Sequence, residues 1–398
     1  MKIPPPNPVA PEGRLDSIDM LRGIALFGVL LVNLIVEFRV SVFQQFLSTN
    51  EPTWMPDRMA MALVSNVLQM KAFALFSFLF GIGLAMQFER LSKRGKAYYW
   101  LSRRLLLLLL FGLVHLLFIW NGDILTEYAV AGMLVLPFLI APTWAIAAGF
   151  SCFLALYVAM PMMSLPIPWP DTETLLNHVA AANIAYGAGS ALDVWRFSIG
   201  ELRLLLPLHI WVFPRTIALL LLGILAWRTG VMQHQERYLR LFWILSGVGI
   251  VAGAAIAAGS SVVAQTGLGT LGSALQNLAS ILFAMGYGAV ALALAQHRVA
   301  GQVLKVVVPL GRMAFSNYIM QSLIFGFIFF GYGLGYFGRL GASHALLIGI
   351  TVYAAQVLLS GWWLSCFQFG PLEWLWRTLM YGIRQPMRKP AYQKNASL

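Results

Sequence analysis

Residues 16–37 read DSIDMLRGIALFGVLLVNLIVE, and this stretch decides the fold. It opens on a charged cluster of Asp16, Asp19 and Arg22, runs on almost unbroken as an apolar helix, and then carries Asn33 and Glu37. Arg22 and Asn33 are eleven positions apart. At about 100° per residue that is three turns plus roughly 20°, so one helix face carries both. About 16 Å of rise separates them, roughly half a bilayer core. Glu37 follows Asn33 at i+4 and extends the stripe. Polar groups in hydrocarbon are costly and face a bundle interior or a water-filled cavity, so a plain anchor has no use for them. The stripe reads as functional. The structural alternative is an asparagine bonded to a neighbouring helix and a glutamate reaching the outer interface.

The wider composition agrees with a membrane helix. Of 398 residues 59% are hydrophobic and 11% charged, against about 25% charged in soluble domains, which makes this an integral membrane protein. The net charge of +12 does not point to nucleic acid, because the basic residues sit between apolar runs, as the positive-inside rule expects. Cys152 and Cys366 lie in separate apolar segments and imply neither a disulfide framework nor a metal site. The proline-rich start, with Pro4, Pro5, Pro6, Pro8 and Pro11, reads as a tail.

Ten apolar runs long enough to cross a bilayer are expected, near 18–37, 69–88, 105–121, 124–141, 143–163, 207–227, 242–263, 275–295, 308–330 and 343–366. With ten spans, Arg90, Lys93, Arg94, Lys96, Arg103 and Arg104, the basic residues of 228–240 and 296–307, and the C-terminal tail all fall on one side. The expectation is an all-α polytopic protein of the bacterial inner membrane with both termini cytoplasmic. One transmembrane domain, 17–380, lies between a flexible tail, 1–16, and a basic tail, 381–398. Two long outer segments, 38–68 and 164–206, remain; the second has the character of short surface helices that cover a site from outside. The glycines of 247–272, such as Gly249, Gly253 and Gly259, suit close helix packing.

The third run, RRLLLLLLFGLVHLLFIWNGDILTEY from residue 103, repeats the first run's pattern. Arg104 and His115 are again eleven apart on one face. His115 reads as a general base or proton relay, with a cross-helix structural bond as the alternative. Asp123, in an Asn-Gly-Asp turn, is either a catalytic partner or the cap of the next helix. Lys71 at the head of the second run, and His209 and Arg215 either side of Pro214, are candidate holders of an anionic substrate. Arg312, Asn317 and Gln321 give the ninth run, PLGRMAFSNYIMQS, a polar interior, with interhelical hydrogen bonding as the alternative. The closing FGPLEWLWRTLMYG puts Glu373 and Arg377 at i, i+4 in an interfacial helix. His178, His234, His297 and His344 read as solvated. No metal-ligand spacing, nucleophile elbow or cysteine nucleophile is present.

The strings RLDSIDMLRGIALFGVLLVN, KAFALFSFLFGIG, RRLLLLLLFGLVH with NGDIL and YA, GRMAFSNYIMQS and FGPLEWLWR resemble the YeiB-like family of bacterial membrane proteins, catalogued as domain of unknown function four-one-eight. The resemblance covers nearly the whole chain. Its first motif is also similar to the wider transmembrane acyltransferase superfamily, whose helical core passes an acyl group from a cytoplasmic thioester to an acceptor on the other side. Acyltransferase-three proteins carry an arginine followed, after ten residues, by a histidine. Arg22 matches the arginine, and Asn33 stands where the histidine would be. The heparan-acetyltransferase branch has asparagine there and a histidine in the next outer loop, but this chain has none between Asn33 and Lys71. His115 is then the substitute base on physical grounds.

The reading that results is a membrane-embedded acyltransferase. His115 is the base, Asp123 or Glu37 orients a partner, and Asn33 donates to the carbonyl oxygen. Arg22, Arg104 and Arg312, with Asn317 and Gln321, hold acyl-CoA as donor. The expected partners are membrane lipids, a glycan, lipid or other small-molecule acceptor and a possible second copy, with no metal and no nucleic acid. The alternatives are a transporter of a small polar or anionic metabolite with His115 as proton relay, and a non-catalytic membrane partner.

Overall fold

The computed structural model describes residues 15–47, 53–93, 95–163, 167 and 169–389. The proline-rich start and the last part of the basic tail lie outside the described residues, as do 48–52, 94, 164–166 and 168. Among the described residues the chain is helical, and its one extended pairing is an isolated bridge between Phe367 and Arg388. The helices are α1 (Asp16–Asn33), α2 (Met55–Leu63), α3 (Lys71–Ser92), α4 (Ala97–Phe118), α5 (Leu125–Val135), α6 (Thr143–Ala159), α7 (Thr172–Ala188) and α8 (Ala191–Arg228). They continue as α9 (Leu239–Gln265), α10 (Gly269–Ala295), α11 (Arg298–Leu304), α12 (Val308–Arg312), α13 (Ala314–Phe329), α14 (Ala342–Cys366) and α15 (Pro371–Tyr381).

The protein is an all-α, multi-pass membrane protein. Eight helices among the described residues are long and apolar enough to cross a bilayer, nine if the pair Arg298–Arg312 and Ala314–Phe329, bent by 77°, is one broken span. The remaining expected run, 124–141, is the shorter apolar helix Leu125–Leu139. It is short because the chain turns back inside the bundle after α4: Trp120, Asn121 and Asp123 are all buried. One expectation changes for the outer segment 164–206. It holds α7, and the span expected from 207 begins instead at Ala191, where Ser190 and Asp193 form a reciprocal capping box. At 38 residues α8 is about 57 Å long, well beyond the hydrocarbon thickness. Pro207 and Pro214 lie within it.

Helix α1 runs lengthwise through three apolar clusters. Ile18, Leu21 and Ala25 belong to the first, Leu26 and Val29 to the second, and Leu30, Leu34 and Phe38 to the third. Lipid is as apolar as leucine, so association in a membrane comes from close packing, not from removing apolar surface from water. Glycines supply that closeness. A Cβ on Gly311 would collide with the backbone oxygen of Asp19, so α12 can lie against α1 only without a side chain there. Gly249 likewise sits on the backbone of α10, whereas Gly259 faces open space and takes no part in packing. Beyond Asn33, α1 continues as a π-turn, Leu34–Phe38, closed by Arg39 N–H donating to Leu34 O at 2.9 Å. The wider turn carries Glu37 off the stripe that regular helix spacing puts it on.

The basic segments share one end. Arg312 pairs with Asp16 at 2.7 Å, Gln235 donates to Ser17 Oγ at 2.6 Å, and Trp376 donates to Arg104 O at 3.2 Å. The two ends of the described chain therefore lie on one side of the bundle. The opposite end is knit by Gly338 N–H to Arg39 O at 2.8 Å and by Asp57, which accepts from Ser343 N and Oγ at 2.8 and 2.6 Å and so caps α14.

Candidate functional site

At the basic end a cavity of about 290 Å³ enters the bundle. Arg22, Arg104 and Arg312, drawn from α1, α4 and α12, all line it, together with Arg90 and Arg377. Its deeper walls are apolar: Leu26, Val29, Phe76, Phe80, Leu108 and Leu125. The arginines differ in how they are held. Arg22 is bonded to Asp19 at 2.8 Å and Arg312 to Asp16 at 2.7 Å. Arg104 has no carboxylate partner among the described residues; its guanidinium lies 4.4 Å over the Trp376 ring, and its buried Nε makes no hydrogen bond. Glu373, which the sequence places on an interfacial helix with Arg377, turns inward instead. Its carboxylate accepts from Phe315 N at 2.9 Å, Ser316 N at 3.0 Å and Ser316 Oγ at 2.5 Å, holding the first turn of α13. Burial raises its pKa above the ordinary 4.5.

The cavity ends at Ile124 and Tyr318, and three candidate residues lie just beyond it. On α1 the lining residues Arg22, Leu26 and Val29 lead one turn on to Asn33. On α13 Tyr318 leads one turn on to Ser322, and on α4 Leu108 leads two turns on to His115. His115 is wholly buried, with Nδ1 2.8 Å from Asp123 Oδ1 and Nε2 2.9 Å from Ser322 Oγ. The capping role that the sequence left open for Asp123 is present as well, since its Oδ2 accepts Thr126 N–H at 2.7 Å at the start of α5. Asn33 is buried with no hydrogen-bond partner for Oδ1.

Around this centre and on toward the opposite end, carboxylates and histidines accumulate. Glu127 accepts from Thr216 Oγ1 and is 3.4 Å from His209 Nδ1. Glu201 accepts from Asn121 at 2.7 Å and Tyr186 at 2.6 Å, and His178 Nε2 lies 2.6 Å away, so His178 is a half-buried partner of Glu201 and not a solvated residue. Glu37 lies within electrostatic range of His209 and Glu201, and His209 within range of Asp123. Glu127 follows Asp123 by one helical turn in the sequence, whereas Glu201 carries no periodic signal and only the early start of α8 brings it inside.

Lys71 and Arg215 form a separate group. Both are 4% exposed. Lys71 Nζ lies 5.9 Å over Phe283, and Arg215 lies 5.9 Å over Tyr157 with one nitrogen 3.4 Å from Met70 Sδ. Arg215 Nε and the Tyr157 hydroxyl are buried without partners. Asn317 and Gln321 do not line the cavity. Asn317 donates to Ser360 Oγ at 3.0 Å, and Gln321 to Gln356 Oε1 at 2.8 Å, so both join α13 to α14. Among the described residues no group of three or more His, Cys, Asp or Glu is placed to hold a metal ion.

Comparison with known proteins places this geometry in a lineage. Residues 226–383 match a family described as "Protein of unknown function (DUF418)". The chain is 31% identical over 411 residues to "Uncharacterized protein YxaH" of Bacillus subtilis (strain 168), covering 96% of this chain and 98% of that protein. It is 28% identical over 397 residues to "Uncharacterized protein YeiB" of Escherichia coli (strain K12), covering 91% and 95%. A protein of Bacillus acidopullulyticus, named for its position in the amylase 3' region, is 27% identical over 395 residues.

Proposed function

The chain belongs to the YeiB-like DUF418 family, whose description assigns no activity, and from the site we propose that it is a transmembrane acyltransferase that takes an acyl group from a thioester donor. One observation carries the reading: the arginine-lined cavity leads, along three helices at once, to Asn33, His115 and Ser322. Its about 290 Å³ is at the small edge of ligand pockets and suits a pantetheine-like arm with a short acyl group. The arginines at the mouth then hold the donor's phosphates, a task for which the guanidinium fork is well shaped.

By the positive-inside rule the basic end faces the cytoplasm of a bacterial inner membrane, where acyl-CoA is found. Asp123 fixes the His115 proton on Nδ1, so Nε2 is the base, and Asn33 supplies an amide donor to the oxygen that gains charge. The acceptor enters from the opposite half, where Glu37 and Glu201 lie. That cluster also favours a second reading, transport of a small polar metabolite with protons relayed through His115. The test is thiol release from acetyl-CoA and longer acyl-CoAs by detergent-purified protein with a hydroxylic acceptor pool of membrane lipid and glycan. Acyl transfer predicts release that His115→Ala abolishes. No release with any thioester, combined with gradient-driven uptake in sealed vesicles, would replace this reading with transport.

A further inference from the structure

His115 faces a side chain that simple base catalysis does not use. Ser322 Oγ lies 2.9 Å from His115 Nε2, while Asp123 Oδ1 lies 2.8 Å from Nδ1. An ionised carboxylate only accepts hydrogen bonds, so Nδ1 carries the ring proton, Nε2 presents its lone pair, and the Ser322 hydroxyl is the donor to it. The hydroxyl's other possible acceptor, Tyr318 O, is at 3.4 Å and competes poorly. Asp123 is itself held by Thr126 N–H at 2.7 Å. The three groups come from α13, α4 and the buried turn after it, so three separately anchored elements align one relay. Serine, base and orienting acid in this order make a hydroxyl nucleophilic, and such sets are recognised by geometry, not by their order in the chain.

We propose that Ser322 is the nucleophile, and that acyl transfer runs through an ester on its Oγ. This rests on the acyltransferase reading for its donor. A thioester reaching down the cavity meets Tyr318 first, one turn before Ser322. Among the described residues the Tyr318 hydroxyl makes only 3.4 Å contacts, to Gly122 O and Ile124 N, so no short hydrogen bond holds it there. Ser322 Oγ attacks the thioester carbonyl carbon as His115 Nε2 takes the hydroxyl proton. The C–S bond then breaks and the departing sulfur receives that proton, leaving a free thiol and acyl-Ser322. In the second half His115 takes a proton from the acceptor hydroxyl, whose oxygen attacks the ester carbonyl. The C–O bond to Ser322 breaks, and Oγ recovers its proton from His115. Donor thiol can leave toward the basic end before acceptor arrives from the other half, so the two substrates need never be present together.

The test uses two probes on the full-length protein in lipid nanodiscs. A tagged fluorophosphonate modifies a base-activated serine whatever the natural donor, and radiolabelled acetyl-CoA without acceptor traps the acyl group. We expect both labels on the peptide carrying Ser322, with one free thiol released per acetyl bound. Both labels should vanish in Ser322→Ala and fall at least about tenfold in His115→Ala and Asp123→Asn. Ser322→Cys, nearly isosteric and so spared the packing defect, should accept acetyl as a hydroxylamine-labile thioester. Acetyl transfer at the wild-type rate by folded Ser322→Ala overturns the nucleophile while leaving acyl transfer standing, as direct attack on the bound donor. Fluorophosphonate labelling of Ser322 without any acetyl label upholds the nucleophile and overturns the acyl-CoA donor. Absence of both labels on folded wild-type protein overturns the proposal.

Discussion

At His115 the chemistry turns on which ring nitrogen carries the proton. Asp123→Asn keeps the size but lets an amide N–H point at Nδ1, which moves the proton to Nε2 and removes the base. The expected result is a fall in turnover on the order of 10³-fold with unchanged donor affinity, read as a separation of kcat from KM. Arg104→Ala should do the reverse, weakening donor binding by about 10–100-fold, the worth of one charge-assisted contact, with little effect on turnover at saturation. Lys71 is buried at the first residue of a helix, where the helix dipole opposes a cation, and among the described residues it has an aromatic face but no carboxylate partner. Lys71→Met is therefore expected to raise the melting temperature by a few degrees. At this scale the sequence was readable where polar residues interrupt apolar runs at helical spacing, as for Arg22, Asn33, Arg104 and His115. It was silent where the decisive fact is a meeting of distant elements: Ser322 is 207 residues from His115, and nothing local marks it as the partner.

Helix ends and helix contacts set how firmly those residues are held. Gly311→Ala drives a methyl group into the α1 backbone at Asp19, and a loss of more than about 2 kcal/mol is expected in thermal unfolding, with Arg312 displaced from the cavity mouth. Glu373 ties α15 to the start of α13 and has a folded pKa above 4.5 because burial disfavours its charge. A carboxyl whose folded pKa is raised contributes stability that is present in full below 4.5 and is lost as pH rises through the folded value. Melting temperature followed from pH 4 upward should show that decline in wild type (about one titrating group), and Glu373→Gln should remove it. The sequence placed Glu373 on a surface helix because Trp374, Trp376 and the i, i+4 pair with Arg377 read as an interfacial pattern. The same residues serve a buried end-on contact, which periodicity cannot distinguish from an exposed one. The start of α8 was missed for a related reason: the two prolines near 207 and 214 suggest a boundary, yet the capping box at Ser190 had already begun the helix.

Across the whole molecule, the arrangement is two unlike polar regions with one buried His115–Asp123–Ser322 cluster between them. Arginines line the basic end, carboxylates and histidines gather toward the other, and His115 lies between them near the end of α4, wholly buried. The all-α membrane fold was legible because composition and run length decide it. The number of crossings was less so, because a helix of 15 residues that starts inside the bundle, Leu125–Leu139, looks in sequence like any other span. The central claim is that the basic cavity binds a thioester donor, and the direct measurement is the ligand-induced shift in melting temperature of purified protein with acetyl-CoA, longer acyl-CoAs and free CoA. A saturable rise with CoA compounds, lost in Arg104→Ala and kept in His115→Ala, is the predicted result. A folded protein whose melting temperature no CoA compound moves, at concentrations up to the millimolar range, would contradict the account.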